Sequence, residues 1–269
     1  MKSIILKPSF LKKCFLRILR KTFSWVENNG NANLQRNGEK YFVDWLLEFW
    51  VTNSYGKVVV LDVGANLGEY SHLLLGESRK IGLDTIVHIF EPTSSSFKVL
   101  SDKFHSRADA ILNRSAVSNE CGEVDIHYDM MCSRFASLAK RNMKHYGIDL
   151  NQSEIVTSIR LDGYISEKKV SHIHLLKMDI EGYEYSALEG LGSYLDNSFI
   201  DFIQFEYGGA NLDSGTSLMM LFEILQNSGF QIAKVMKRGL EMRCYEPWME
   251  NFQYSNYIAI SNNLVENFK

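Results

Sequence analysis

Two kinds of apolar pattern alternate along this chain. Short continuous apolar runs close on an acid or a glycine at residues 58–63, 86–90, 173–178 and 199–207. Runs of this kind read as strands buried on both faces. Between them, at residues 69–75, 94–104 and 217–227, apolar positions recur every three or four residues. Those stretches read as helices, the last closing near Gly229. Strands and helices in alternation predict an α/β fold with a mostly parallel sheet. Residues 110–118 read as the third strand and its exit loop, and residues 230–235 and 257–260 as a closing antiparallel pair. Residues 122–128 and 154–161 alternate apolar with polar, which predicts two added strands around a polar insert at 133–150. The segment 161–164 leads into a short polar helix.

Upstream of the first strand, Phe42, Trp45, Leu46, Phe49 and Trp50 stand at helical spacing and predict a helix packed beside it. A polar loop rich in Gly and Asn precedes that helix at residues 28–38. The first 26 residues are lopsided: they carry Lys2, Lys7, Lys12, Lys13, Arg17, Arg20 and Lys21, and no acid before Glu27. Leu11, Cys14, Phe15, Ile18 and Leu19 recur at helical spacing from a start near Ser9. Basic residues interrupt the apolar positions, so this is not a secretory signal. The expectation is an N-terminal helix with a solvated basic face; the same pattern permits peripheral contact with an anionic membrane through residues 1–26. The organisation read from these patterns is a helical extension over residues 1–52 and one domain over 53–269, with an insert at about 119–165.

Composition narrows the class. A chain of 269 residues with 45% hydrophobic content can bury one sizeable core. A charged fraction of 23% and three prolines argue against disorder. The net charge of −3 excludes a general nucleic-acid binder. Cys14, Cys121, Cys132 and Cys244 form no CxxC pair, which points to reduced thiols in a cytoplasmic protein and away from a zinc ribbon. No run of about 18 or more apolar residues is present to span a bilayer. Any membrane contact would then be at the inner face.

The chemistry begins at residues 58–71, VVVLDVGANLGEYS. A buried strand that ends in a glycine turn and opens a helix makes a ligand crevice in α/β folds. Gly64 suits the tight turn and Gly68 a close approach to a ligand. Phosphate-binding loops add further glycines or a Gly-Lys-Ser/Thr ending, and this loop has neither. It carries Asp62, and no Lys or Arg follows Val58 before Arg79. That charge would repel a pyrophosphate and suit a cation. S-adenosylmethionine, with a sulfonium and an ammonium, fits better. Glu91 follows the second apolar run about 20 residues on, where a strand-end carboxylate can accept both ribose hydroxyls. A second acidic edge comes from Asp179 and Glu181 in IHLLKMDIEGYEY, and a third contribution from Glu206. All three lie where strands end, the edge at which open α/β sheets bind ligands.

The segment D-V-G-A-N-x-G-x-Y-S resembles the first motif of FkbM-type methyltransferases. F-E-P at residues 90–92, A-V-S at 116–118, L-D-G-Y at 161–164 and K-M-D-I-E-G-Y-E at 177–184 resemble further family motifs in the right order. The resemblance runs from about residue 58 to residue 260. It implies a Rossmann-like class I methyltransferase fold, a seven-stranded mostly parallel sheet flanked by helices, with a β insert before the fourth strand. It implies S-adenosylmethionine as cofactor, held by Asp62, Gly64, Ala65, Asn66, Gly68, Tyr70, Ser71, Glu91 and Pro92. Ser115, Ala116 and Val117 would flank the adenine, and the upstream helix would help to close the pocket.

The implied reaction is methyl transfer to an acceptor, usually a hydroxyl. An alcohol is a weak nucleophile, so a carboxylate that takes its proton contributes typically about 10²–10⁴-fold. Asp179, Glu181 and Glu206 are the candidates. Asp179 would face the methionine end of the donor and the other two the acceptor, or the roles are exchanged. The same acids suit Mg²⁺; with no histidine beside them, the expectation is no metal. The expected acceptor is a sugar, glycan or related natural-product hydroxyl, selected by the polar insert. Two other readings compete: a nicotinamide-dependent oxidoreductase on the same sheet, and a non-catalytic homologue that binds a ligand. The two-glycine loop and Asp62 speak against the first, the retained acids against the second.

Overall fold

The computed structural model describes residue 7 and residues 9–268. In chain order the elements are α1 (Phe10–Val26), α2 (Glu39–Thr52), β1 (Lys57–Val63), α3 (Glu69–Lys80), β2 (Asp84–Phe90), α4 (Ser94–Phe104), β3 (Ala110–Asn113), β4 (Ala116–Val117), β5 (Gly122–Tyr128), β6 (Gln152–Ile159), α5 (Leu161–Lys168), β7 (Ile173–Met178), α6 (Glu184–Glu189), β8 (Ile200–Tyr207), α7 (Gly209–Ser214), α8 (Leu218–Asn227), β9 (Phe230–Met236), β10 (Gly239–Arg243) and β11 (Ser255–Ser261).

The main sheet runs β10-β9-β11-β8-β7-β1-β2-β3. Strands β3, β2, β1, β7 and β8 are parallel, while β11 lies antiparallel between β8 and β9. From β1 the chain winds out to β2 and β3, then returns to the other side of β1 as β7. The gap above the carboxyl ends of β1 and β7 is therefore the topological switch point, where such sheets open a crevice. Within β1, Val58 and Val60 pack on one face and Leu61 and Val63 join the core on the other. Helix α2 buries Phe42, Val43, Leu46 and Trp50 in the same cluster as Val58 and Val60. The core is thus continuous across the boundary expected at residue 52.

Two differences from the sequence reading concern the sheet. It has eight strands, not seven, because β10 adds an antiparallel edge to β9. Residues 239–243 carry no apolar run; their strand is made by pairing with β9, and Arg243 is tied to Glu27 at 3.1 Å. The insert strands form a separate sheet with β4, in the order β4-β6-β5. Its small core is Ala116, Ile126 and Val156. The L-D-G-Y segment does not precede a helix but forms the first turn of α5.

Helix α1 starts where expected, with the Ser9 hydroxyl accepting the Lys12 N–H, and none of its residues is buried.

Candidate functional site

A cavity of about 840 Å³ opens above β1, β2, β7 and β8. That is within the range of roughly 300–1,000 Å³ usual for ligand sites. Its wall includes the loop after β1, the insert, and two segments at residues 30–34 and 252–254. Hydrogen bonds join these parts. Asn66 Nδ2 donates to the Ser133 carbonyl at 2.7 Å, and the Ser137 hydroxyl donates to the Glu181 carbonyl at 2.9 Å. The insert is thereby fastened to both acidic edges.

The loop after β1 is folded on itself. Gly64 N–H and Ala65 N–H both donate to the Phe90 carbonyl at 3.0 Å, and Asn66 N–H donates to Glu91 Oε2 at 3.0 Å. These amides are spent within the protein, so they do not form the row of free N–H groups that a phosphate needs. Gly64 lies at φ +80°, and a Cβ there would overlap the Asp179 carbonyl oxygen. Only glycine lets β1 and β7 end so close together. Gly68 has a different role from the one its spacing suggested. A Cβ there would meet Phe104 at 2.7 Å, so its close approach is to α4 and not to a ligand.

Gly64, Ala65, Asn66, Tyr70, Glu91, Pro92, Ser115, Ala116 and Val117 all line the cavity. Asp62, Gly68 and Ser71 do not. Asp62 is fully buried. It accepts a hydrogen bond from the Ser71 hydroxyl and pairs with the Lys177 ammonium at 3.3 Å. The expected free negative charge beside a cationic donor is therefore neutralised from the neighbouring strand. Glu91 is also more committed than expected. Its Oε1 accepts from both the N–H and the hydroxyl of Thr93, and its Oε2 from Asn66. A carboxylate offers about four lone-pair sites. Glu91 thus keeps room for one ligand hydroxyl, not two. Burial raises its carboxyl above the ordinary range, and the three protein donors oppose that.

Asp179, Glu181 and Glu206 converge, with one oxygen from each lying within 4.8 Å of the others. Burial pushes the Glu206 carboxyl well above its ordinary value, and Asp179 and Glu181 push in the same direction. Burial likewise raises Glu181 to about 8, against the Arg141 guanidinium that contacts it. Arg141 comes from the insert and also reaches Asp213 at 3.3 Å. Glu181 holds a left-handed backbone at φ +51°, unusual for a residue with a side chain. Glu184 keeps that turn in place, its Oε1 accepting the N–H groups of Ile180 (3.1 Å) and Gly182 (3.3 Å).

Further residues, absent from the set expected from the motifs, shape the site. Lys177 stands between the two acidic edges, 3.3 Å from Asp62 and 3.5 Å from Asp179. Burial alone would lower its pKa; Asp62, Asp179 and Glu39 together outweigh burial and raise it. Lys177 and Glu184 are the first and last residues of K-M-D-I-E-G-Y-E, so the motif itself carried their signal. Glu39, on α2, accepts from Gln204 at 2.7 Å, and Gln204 in turn accepts from the Tyr70 hydroxyl at 3.0 Å. Neither Glu39 nor Arg141 stands in any local pattern.

Acids on the cavity wall (Glu39, Glu69, Glu91, Asp179, Glu181 and Glu206) outnumber bases (Arg134, Arg141 and Lys177) two to one. With the loop amides spent, this donor set fits a cationic ligand with hydroxyls, and so fits S-adenosylmethionine better than a pyrophosphate.

The chain matches the methyltransferase FkbM domain over residues 62–232. Among solved structures it is similar to methyltransferase FkbM from Methylobacillus flagellatus KT, with 16% identity and a TM-score of 0.47. That match covers 75% of this chain and 43% of the other, so this chain spans less than half of that protein's length. It is also similar to Aeropyrum pernix fibrillarin in complex with S-adenosyl-L-methionine, with 10% identity, a TM-score of 0.41 and coverage of 76% and 66%. A third likeness is the Burkholderia thailandensis 1,6-didemethyltoxoflavin-N1-methyltransferase, with 12% identity, a TM-score of 0.37 and coverage of 96% and 93%. A comparison with curated proteins returns no match.

Proposed function

We propose, from the premise that this chain belongs to the FkbM methyltransferase family, that it methylates a hydroxyl of a sugar or glycan. The observation that carries this reading is the convergence of Asp179, Glu181 and Glu206 at one end of the cavity. S-adenosylmethionine, the family's methyl donor, supplies an electrophilic methyl group on a sulfonium when bound. In the proposed site, Glu91 takes one ribose hydroxyl and the segment 115–117 borders the base. Asp179, Glu181 and Glu206 then face the acceptor.

Three carboxyl groups this close do not all ionise. Burial and its acidic neighbours favour the protonated form of Glu206. Arg141 occupies Glu181. That leaves the Asp179 carboxylate to accept the proton of the acceptor hydroxyl as its oxygen attacks the methyl carbon. Fastened at Asn66 and Glu181, the insert excludes water from this end and holds the acceptor in line. A polyhydroxylated acceptor is favoured because the neighbouring wall (Ser137, Arg141, Gln253 and Tyr254) is rich in hydrogen-bonding groups.

Two measurements test this. Calorimetry should show S-adenosylmethionine binding weakened about 10- to 100-fold in Glu91→Gln, the loss of a hydrogen bond to a charged group. Wild-type affinity in that variant would remove Glu91 from the site. Labelled methyl groups should then pass to the oxygen of a sugar in a glycan extract. Label found on nitrogen or carbon would refute the hydroxyl assignment and leave the donor site standing.

A further inference from the structure

Helix α1 projects from the protein with an apolar face turned outward. Leu11, Phe15, Ile18, Thr22 and Trp25 share one side at three- and four-residue spacing. All are exposed, Leu11 to 78% and Ile18 to 62%. Lys13, Arg17, Arg20 and Ser24 lie on the other side at the same spacing. Helix α1 contains five Lys and Arg residues and no acid, in a chain whose net charge is −3. Lys2 lies outside the described residues. Seventeen residues rise about 25 Å as a helix. No helix among the described residues is long and apolar enough to cross a membrane.

The far end of α1 is firmly held. Ser24 donates to Gln253 at 2.6 Å, and Phe23 packs edge-on against Trp248. Glu27 pairs with the buried Lys234 and with Arg243, both at 3.1 Å. Gly30 N–H donates to the Tyr254 carbonyl at 2.8 Å. Gly30, Gln253 and Tyr254 also line the cavity. The exposed stripe is thus fixed beside the cavity's edge.

We propose that α1 docks on an anionic lipid surface, its apolar side entering the headgroup region and its cations meeting lipid phosphates. Charge decides the occupant. A second copy packed on the apolar side would leave the cations of both helices unpaired, whereas an anionic bilayer complements them and repels the acidic remainder of the chain. A helix with a basic face and a Phe/Leu/Trp face is built to lie in that interface. The docked helix holds one edge of the cavity at the membrane surface. The docking itself does not depend on the acceptor assigned above.

The test is co-sedimentation of the full chain with vesicles of phosphatidylcholine and phosphatidylglycerol, against vesicles of phosphatidylcholine alone. Binding is expected to the mixed vesicles only, and to weaken as salt is raised. The pairs Phe15→Asp with Ile18→Asp, and Arg17→Glu with Arg20→Glu, should each weaken it at least tenfold. These side chains are exposed, so the unfolding midpoint and S-adenosylmethionine binding should not move. Wild-type protein left in the supernatant at low salt overturns the proposal, as does undiminished vesicle binding in either variant. Light scattering that shows a dimer dissolved by Phe15→Asp with Ile18→Asp, without vesicle binding, assigns the face to a second copy and also overturns it.

Discussion

Strands β1 and β7 lie side by side, and each apolar run leads to an aspartate followed closely by a glycine turn. Their aspartates live in opposite conditions. Asp62 is the sixth residue of β1, directly paired in register with Lys177 of β7, so the two side chains share a face and a buried ion pair. Asp179 lies one residue beyond β7; its N–H still bonds to Val63, but its side chain is 40% exposed. Asp179 stands two register positions beyond Lys177, the partner of Asp62, so both carboxylates lie toward one face; Asp62 sits inside its strand and Asp179 past the end of its own, at the cavity. Lys177 links them, since it touches both acids.

Changing either aspartate, or the lysine between them, should break this contrast in different ways. The largest expected effect is on rate. Asp179→Asn should lower turnover by about 10²–10⁴-fold, the usual contribution of a general base, with little change in the urea midpoint. A variant that turns over normally would shift the proton acceptor to Glu181 or Glu206. Next is Lys177→Met, which leaves Asp62 buried without its cation. Urea denaturation should show a loss of about 3–5 kcal/mol, and adding Asp62→Asn should recover most of it. If the double variant is no better than the single, the lysine is worth more to Asp179 than to Asp62.

The smallest effect is a pH dependence. Burial raises Glu184 to about 7, against the backbone N–H bonds it accepts. Its folded pKa therefore exceeds its unfolded value of about 4.3. The stability held by its protonated form is complete below that unfolded value and is lost as pH rises through about 7. Glu181 and Glu206 are displaced in the same direction. The urea midpoint should fall between pH 5 and pH 8, and Glu184→Gln should remove about 1–3 kcal/mol of that slope. A midpoint that rises over this interval would reverse the assignment.

Much of the fold was legible because its signals are local. The parallel strands announce themselves as apolar runs, and α1 by its spacing from Ser9. The convergence of Asp179 and Glu206 followed from strand ends meeting at one edge of the sheet. Strand β10 was not legible, because a short half-exposed edge strand exists by pairing with β9 rather than by its own pattern. Arg141 and Glu39 were missed for a related reason. Each reaches the site from an element distant in sequence, and its neighbours give no hint of its partner.

The order of apolar runs and glycine turns was enough to specify a wound α/β sheet and an acidic carboxyl-terminal edge, since burial of apolar strands and the freedom of glycine act over a few neighbouring residues. Which acids face the cavity was settled by how far along the sheet each carboxylate sits and by cations supplied from elsewhere. Asp62 turns to Lys177, Glu181 is held by Arg141, and Asp179 is left half open. Charges compensate through space, and a linear order of residues does not encode those distances.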